Sequence, residues 1–199
     1  MLETLARIDG EVLLWIQKNL RGAADPIFKA ITYLNEKGAL VILLCIALLV
    51  IPKTRKLGVL CTSALVVTFL LDNLILKNLI ARTRPYEVVE GLTRLVGKQS
   101  DYSFPSGHTC TAFAVMTMIL MECPKKIGVP AIILAVLIGF SRLYVGVHYP
   151  TDVLAGALTG ILYAWIVRRI YLSLEKNSGA SSPAQNDDDS GDDGSEDWG

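Results

Sequence analysis

The 199-residue chain is written in long apolar runs separated by short polar stretches. Five such runs cover residues 39–51, 57–80, 107–121, 127–147 and 153–171. Their apolar residues are nearly continuous rather than confined to one face, and a full membrane crossing needs about 20 residues. The second, fourth and fifth runs meet that length; the first and third must draw on their flanks. Ahead of them, Leu2, Leu5, Ile8, Val12, Leu13, Trp15 and Ile16 recur at roughly helical spacing among charged residues. This predicts an amphipathic helix at the membrane surface with Trp15 at headgroup level, the alternative being an ordinary helix packed on the bundle. A short helix over 25–34 follows, with Asp25 as N-cap and Pro26 in its first turn. It either makes a sixth, partial crossing or extends the first. The expected fold class is therefore all-α: a polytopic membrane helix bundle of five to six transmembrane helices with an N-terminal amphipathic helix.

Composition agrees, with 52% hydrophobic residues in a chain long enough for one bundle domain. The formal charge of zero hides a division. Residues 177–199 carry seven acidic side chains and no basic one, leaving 19 basic against 12 acidic before them. Three parts are expected: N-terminal amphipathic or interfacial helices over 1–36, a membrane-embedded domain over 37–176, and a disordered acidic tail over 177–199. Basic clusters at Lys53, Arg55 and Lys56, at Lys125 and Lys126, and at Arg168 and Arg169 fall on one face. The positive-inside rule makes that face, and the tail with it, cytoplasmic. No cleavable leader is read in residues 1–19, where Glu3, Arg7, Asp9 and Glu11 interrupt the apolar residues. Cys45, Cys61, Cys110 and Cys123 are scattered without metal-ligand spacing and read as small apolar filler.

The opposite face receives the chemistry. Lys77, Arg82 and Arg84 end the second run, Ser106 to His108 open the third, Arg142 and His148 close the fourth, and Asp152 opens the fifth. A charge at membrane depth costs about 3 kcal/mol, so such groups are functional candidates by default. Lys77, Arg84 and Arg142 offer three positive charges, and arginine matches phosphate oxygens in bidentate fashion, which describes an anion site. Ser106 reads as the N-cap of a helix whose free N–H groups point at the same anion, and Gly107 permits close backbone approach. His108 and His148 are the only histidines. A histidine can attack phosphorus or protonate a leaving oxygen, and Asp152, four residues after His148, is placed to orient it.

Lys77 to Pro85 reads KxxxxxxRP, Pro105 to His108 reads PSGH, and Ser141 to Asp152 reads SRxxxxxHxxxD. In this order and spacing they resemble the signature of the type 2 phosphatidic acid phosphatase family of membrane lipid phosphatases, over residues 77–152. The resemblance implies that His148 is the nucleophile that becomes a phosphohistidine, that Asp152 holds it, and that His108 protonates the leaving group. It implies that Lys77, Arg84, Ser106, Gly107 and Arg142 bind the phosphoryl oxygens, and that neither metal nor cofactor is needed. Arg82 and Arg94 match no defining position, and Arg82 alone reads as a snorkelling helix-end cation. Gly146, Gly156 and Gly160 read as helix-packing positions.

Three other classes compete. A vanadate-binding haloperoxidase uses a similar pocket, but the span-length helices oppose it. A transporter would place its site near the midplane on broken helices with internal repeats, which are not found. A catalytically inactive lipid-phosphate binding or transport protein is opposed by the intact His108, His148 and Asp152. The expected partners are a lipid phosphate or diphosphate and the bilayer, with no nucleic acid. Undecaprenyl diphosphate is the preferred substrate, with phosphatidylglycerol phosphate, phosphatidic acid and diacylglycerol pyrophosphate as alternatives. The expected location is a bacterial plasma membrane, with the site on the outer face.

Overall fold

The computed structural model describes residues 2–180 of the chain, and every described element is helical. Helix α1 (Leu2–Leu20) leads into α2 (Asp25–Leu34), α3 (Ala39–Val50) and α4 (Arg55–Thr68). A segment of wide π turns (Phe69–Leu76) continues α4 directly into α5 (Lys77–Ile80). After the short α6 (Pro85–Val88) and a long loop come α7 (Gly107–Glu122), α8 (Lys125–Tyr144) and α9 (Pro150–Ala180). The apolar runs thus become helices with ends within a few residues of those expected, except that α9 runs well past its expected end at 171. The acidic stretch from 181 onward lies outside the described residues, while helix continues to Ala180, past the boundary expected at 176.

Helix α7 carries no charged side chain between its first turn and Glu122, and it is apolar all round, which suits a central rather than a peripheral helix. Ala112, Ala114, Val115, Met116 and Met118 on α7 pack against Val41 and Cys45 of α3, Leu60, Cys61 and Ala64 of α4, Ala135 and Ile138 of α8, and Ala164 and Val167 of α9. Two glycines set the approach of α9 to α7. A Cβ at Gly156 would lie 2.7 Å from the Ser106 carbonyl oxygen, and one at Gly160 would lie 2.5 Å from that of Cys110. The expected packing role of these two is borne out. Gly146 differs: it lies in the turn between α8 and α9 at φ +75, where a side chain would also strike the Thr93 carbonyl.

The outward faces invert the pattern of a water-soluble protein. Leu43, Val50, Leu79, Ile133, Val136, Leu154, Leu158 and Trp165 are exposed, whereas Asp72, Lys77, Arg84, Arg142, His148 and Asp152 are buried. Among the described residues, four helical runs are long and apolar enough to cross a membrane: Asp25–Val50, Pro52–Val88, Lys125–Tyr144 and Pro150–Asn177. The first run is broken at Lys37 (φ 53) and Gly38 (φ 78). Helix α2 packs along the end of α8, with Phe28 stacked on Tyr144 at 4.2 Å and the Thr32 and Ser141 hydroxyls 2.8 Å apart. It extends the first run across a break. Asp25 occupies the first helical position rather than the cap, which falls to Ala24; its carboxylate instead accepts from the Gly22 N–H and the Tyr144 hydroxyl.

Candidate active site

Local chain chemistry aims each polar side chain at one end of the bundle. Helix α5 stops at Ala81 in the left-handed conformation (φ 49), and residues 82–84 leave it without regular structure. Pro85 disfavours helix at the preceding residue, and Arg84 accordingly sits at φ −71, ψ 146. From there its guanidinium donates to the Val147 carbonyl (2.9 Å) and lies 3.1 Å from His148 Nε2. Lys77 projects from the start of α5, just past the wide-turn segment, and is buried. Arg142 rides on the last turn of α8, where Thr32 of α2 accepts from Nη1 at 3.2 Å. Ser106 immediately precedes α7 in extended conformation, as expected of a cap residue, but its side chain makes no capping bond and instead accepts from the Thr109 hydroxyl. The first-turn N–H groups of α7 remain available, as at any helix start.

His148 and Asp152 face each other across the turn into α9. His148 Nδ1 stands 3.5 Å from Asp152 Oδ2, so the two groups are adjacent without a closed hydrogen bond. That oxygen also accepts from the Ser103 hydroxyl (2.5 Å) and the Tyr149 N–H (2.9 Å). Burial, reinforced by Arg84, Arg142 and Lys77, pushes the His148 imidazole well below its ordinary pKa. It is therefore neutral near pH 7, with a lone pair available on one nitrogen.

Several buried donors and acceptors have no protein partner: Arg142 Nε and Nη2, His108 Nε2 and His148 Nδ1. Two forks of one guanidinium left without acceptors are costly unless an anion or water takes them. Asp101 shows what such an anion does. Its carboxylate, half-exposed on the loop before α7, pairs with Lys77 and, at 2.6 Å, with Arg84 Nη2. Its own burial would raise the pKa, but Lys77 and Arg84 prevail and hold it down at about 2.

All eight residues singled out from the sequence lie at this end of the bundle. Lys77, Gly107 and His108 line a cavity of about 640 Å³ whose other wall is apolar, formed by Ile42, Leu65, Val66 and Phe69. Sequence reasoning missed Asp101, Ser103 and Thr32, and it misread Arg82. Far from snorkelling, Arg82 donates to Asp152 Oδ1 (2.6 Å) and to Asp9 (2.8 Å), with its guanidinium 3.8 Å over the Tyr149 ring. The spacing Arg-x-Arg-Pro was the only signal, and it says nothing of partners.

Apolar outer faces around a cluster of inward cations and imidazoles define an integral membrane protein with its polar chemistry gathered at one end. The chain belongs to the PAP2 superfamily, whose family model matches residues 56–176; the resemblance read from the three motifs is borne out. It is 39% identical over 119 residues to an undecaprenyl-diphosphatase of Sulfolobus acidocaldarius, a match covering 60% of this chain and 56% of that one. Solved structures are also similar. The transmembrane PAP2 type phosphatidylglycerolphosphate phosphatase from Bacillus subtilis is 26% identical, with a TM-score of 0.68 and coverage of 84% of this chain and 86% of that one. LpxE of Aquifex aeolicus is 28% identical, with a TM-score of 0.70 and coverage of 80% and 93%. The matches span about half the length of the curated relatives.

Proposed function

We propose that this protein is a membrane lipid phosphatase that hydrolyses a lipid phosphate or diphosphate through a phosphohistidine on His148. The observation that carries the reading is the cavity of about 640 Å³ that joins an apolar wall to Lys77 and His108. A water-soluble phosphate needs no such wall, whereas a lipid needs it to keep its chains among helices while the headgroup reaches the cations. Helix α7, with 16 residues, is only about 24 Å long at 1.5 Å per residue. That falls short of a hydrocarbon core about 30 Å thick, so the site is recessed to where a lipid phosphate can enter sideways.

The reaction follows from the geometry. Lys77, Arg84, Arg142, the Ser106 hydroxyl and the Gly107 N–H hold the phosphoryl oxygens, Asp101 having yielded Lys77 and Arg84 to them. His148 Nε2 forms the N–P bond as the P–O bond to the lipid breaks, and Asp152 receives the Nδ1 proton in a hydrogen bond. His108 gives a proton to the leaving oxygen, then takes one from the water that displaces phosphate from His148. The chemistry asks for no metal ion.

In this reading the membrane-embedded phosphatase domain occupies residues 37–176. The chain crosses five times, through α3 with α2 extending it across the break, α4 to α5, α7, α8 and α9, with α1 as an interfacial helix at the site end. At the far end Lys56 pairs with Glu175 and Arg168 with Glu122, which gathers the basic clusters there. The positive-inside rule makes that end cytoplasmic, and with it the tail, and puts the site on the outer face of the plasma membrane. Undecaprenyl diphosphate is the favoured substrate, supported by the likeness to an undecaprenyl-diphosphatase. Phosphatidylglycerol phosphate is the second reading, supported by the likeness to the Bacillus subtilis phosphatase structure.

Release of inorganic phosphate from a panel of these lipids in detergent tests the proposal. EDTA should leave the rate intact, and vanadate, which adopts the transition-state geometry, should inhibit. Release from none of the lipids, or loss in EDTA reversed by magnesium, would overturn it.

A further inference from the structure

Helix α1 lies outside the family-matched segment, yet it sends a carboxylate into the support of the reacting pair. Its buried side is Asp9, Gly10, Leu13 and Ile16, while Leu5, Ile8, Val12 and Trp15 are exposed. Asp9 is only 3% exposed. It accepts from Arg82 Nη2 at 2.8 Å, from the Thr151 N–H at 3.1 Å and from the Thr151 hydroxyl. Arg82 Nη1 reaches Asp152 Oδ1 at 2.6 Å and the Thr151 hydroxyl at 2.7 Å. One guanidinium therefore bridges two buried carboxylates and lies over the Tyr149 ring, 3.8 Å from its centroid.

We propose that Asp9 is a positioning residue for catalysis, acting through Arg82 to hold the Asp152 carboxylate in line with His148. Two effects converge. Arg82 fastens Asp152 Oδ1, and this, with Ser103 and the Tyr149 N–H on Oδ2, sets the rotation of the carboxylate that faces His148 Nδ1 at 3.5 Å. Charge is the second effect. Alone, Arg82 would cancel the Asp152 charge and weaken it as an acceptor for the imidazole; shared with Asp9, it leaves the carboxylate–guanidinium–carboxylate unit with a net negative charge. A positioning error of this kind lowers the rate of the chemical step without touching the groups that bind the headgroup.

The inference rests on the reading of His148 as nucleophile, and the experiment separates the two. Phosphate release by detergent-purified full-length protein is measured for wild type, His148→Ala, Asp9→Asn, Arg82→Lys and the double variant Asp9→Asn with Arg82→Lys, on undecaprenyl diphosphate and phosphatidylglycerol phosphate. Lysine keeps the charge but its single ammonium cannot bridge both carboxylates, so Arg82→Lys decides the matter if Asp9→Asn does not fold. Each single variant is expected to lose about tenfold in kcat with KM unchanged, and the double variant to lose no more than Arg82→Lys alone. An unchanged kcat in both singles, losses that multiply in the double, or a rise in KM with kcat preserved would each overturn the inference while leaving the phosphatase intact. Activity surviving in His148→Ala would instead remove the nucleophile assignment and the inference with it.

Discussion

Asp72 and Asp152 are both completely buried, and they are held by different chemistry. Asp152 meets a guanidinium, a hydroxyl and a backbone N–H, and faces an imidazole. Asp72 takes one hydroxyl on each oxygen, Tyr163 at 2.9 Å and Thr159 at 3.0 Å, with no cation paired to it among the described residues. The cationic partner at Asp152 fixes a carboxylate that, in the proposed mechanism, acts on a reactive nitrogen. The hydroxyl partners at Asp72 come from α9 and fasten the α4–α5 rod to it. The wide turns matter here: Asp72 and Lys77 are five residues apart, which on an α-helix would place them about 140° apart. A π segment takes more residues per turn and brings both to the inward side. In the proposed mechanism one carboxylate serves the reaction and the other the register of Lys77.

Four substitutions would break or sharpen this contrast. His148→Ala removes the group that Asp152 serves, so phosphate release should fall by on the order of 10⁴-fold or more. No acid-labile phosphoenzyme should be trapped by rapid quench; trapping it would end the assignment. Asp152→Asn should cost about 10²- to 10⁴-fold in kcat on every substrate. Asp72→Asn, by contrast, should cost less than about threefold in kcat while lowering stability by about 1–2 kcal/mol, read as a shift in thermal unfolding. Equal losses of kcat at the two aspartates would erase the distinction. Between these lies His108→Ala, expected to lose about 10²-fold on phosphate monoesters. It should lose less on diphosphates, because an expelled monophosphate needs less help from a proton than an alkoxide; equal losses on both would remove His108 as the acid.

The smallest expected effect concerns Asp101, whose carboxylate, in the proposed mechanism, competes with substrate for Lys77 and Arg84. Its side chain is 49% exposed, so the pairing is screened and worth under about 1 kcal/mol. Asp101→Asn should therefore lower KM, or the inhibition constant for vanadate, by no more than about fivefold, with kcat unchanged. A higher KM would mean that Asp101 assists binding rather than competing with it.

Much of this was legible in the chain. Continuous apolar runs placed α3, α4, α7, α8 and the start of α9 within a few residues, because in a membrane every backbone group must be satisfied within its own helix and hydropathy alone marks the segments. The motif spacing carried Lys77, Arg84, Ser106, His108, Arg142, His148 and Asp152 to one end, because each stands at a helix terminus and helix length sets depth. Periodicity could not say which stripe of α1 faces inward: Leu5 to Trp15 and Leu13 to Ile16 are both apolar, and in a bilayer either can be outermost. Asp9 therefore stood only as one of the charges, with Glu3, Arg7 and Glu11, that interrupt the apolar residues.

What only the tertiary structure decided is who neutralises whom. Helix, turn and cap are encoded by residues a few positions apart, and the sequence displays them directly. Arg82 finds Asp9 across 73 positions and Asp152 across 70, and Thr32 finds Arg142 across 110. No local pattern records such pairings. They exist because the glycine seam of α9 on α7 and the docking of α1 and α2 on the end of α8 bring those helix ends together, and a buried charge must then take whichever partner the packing supplies.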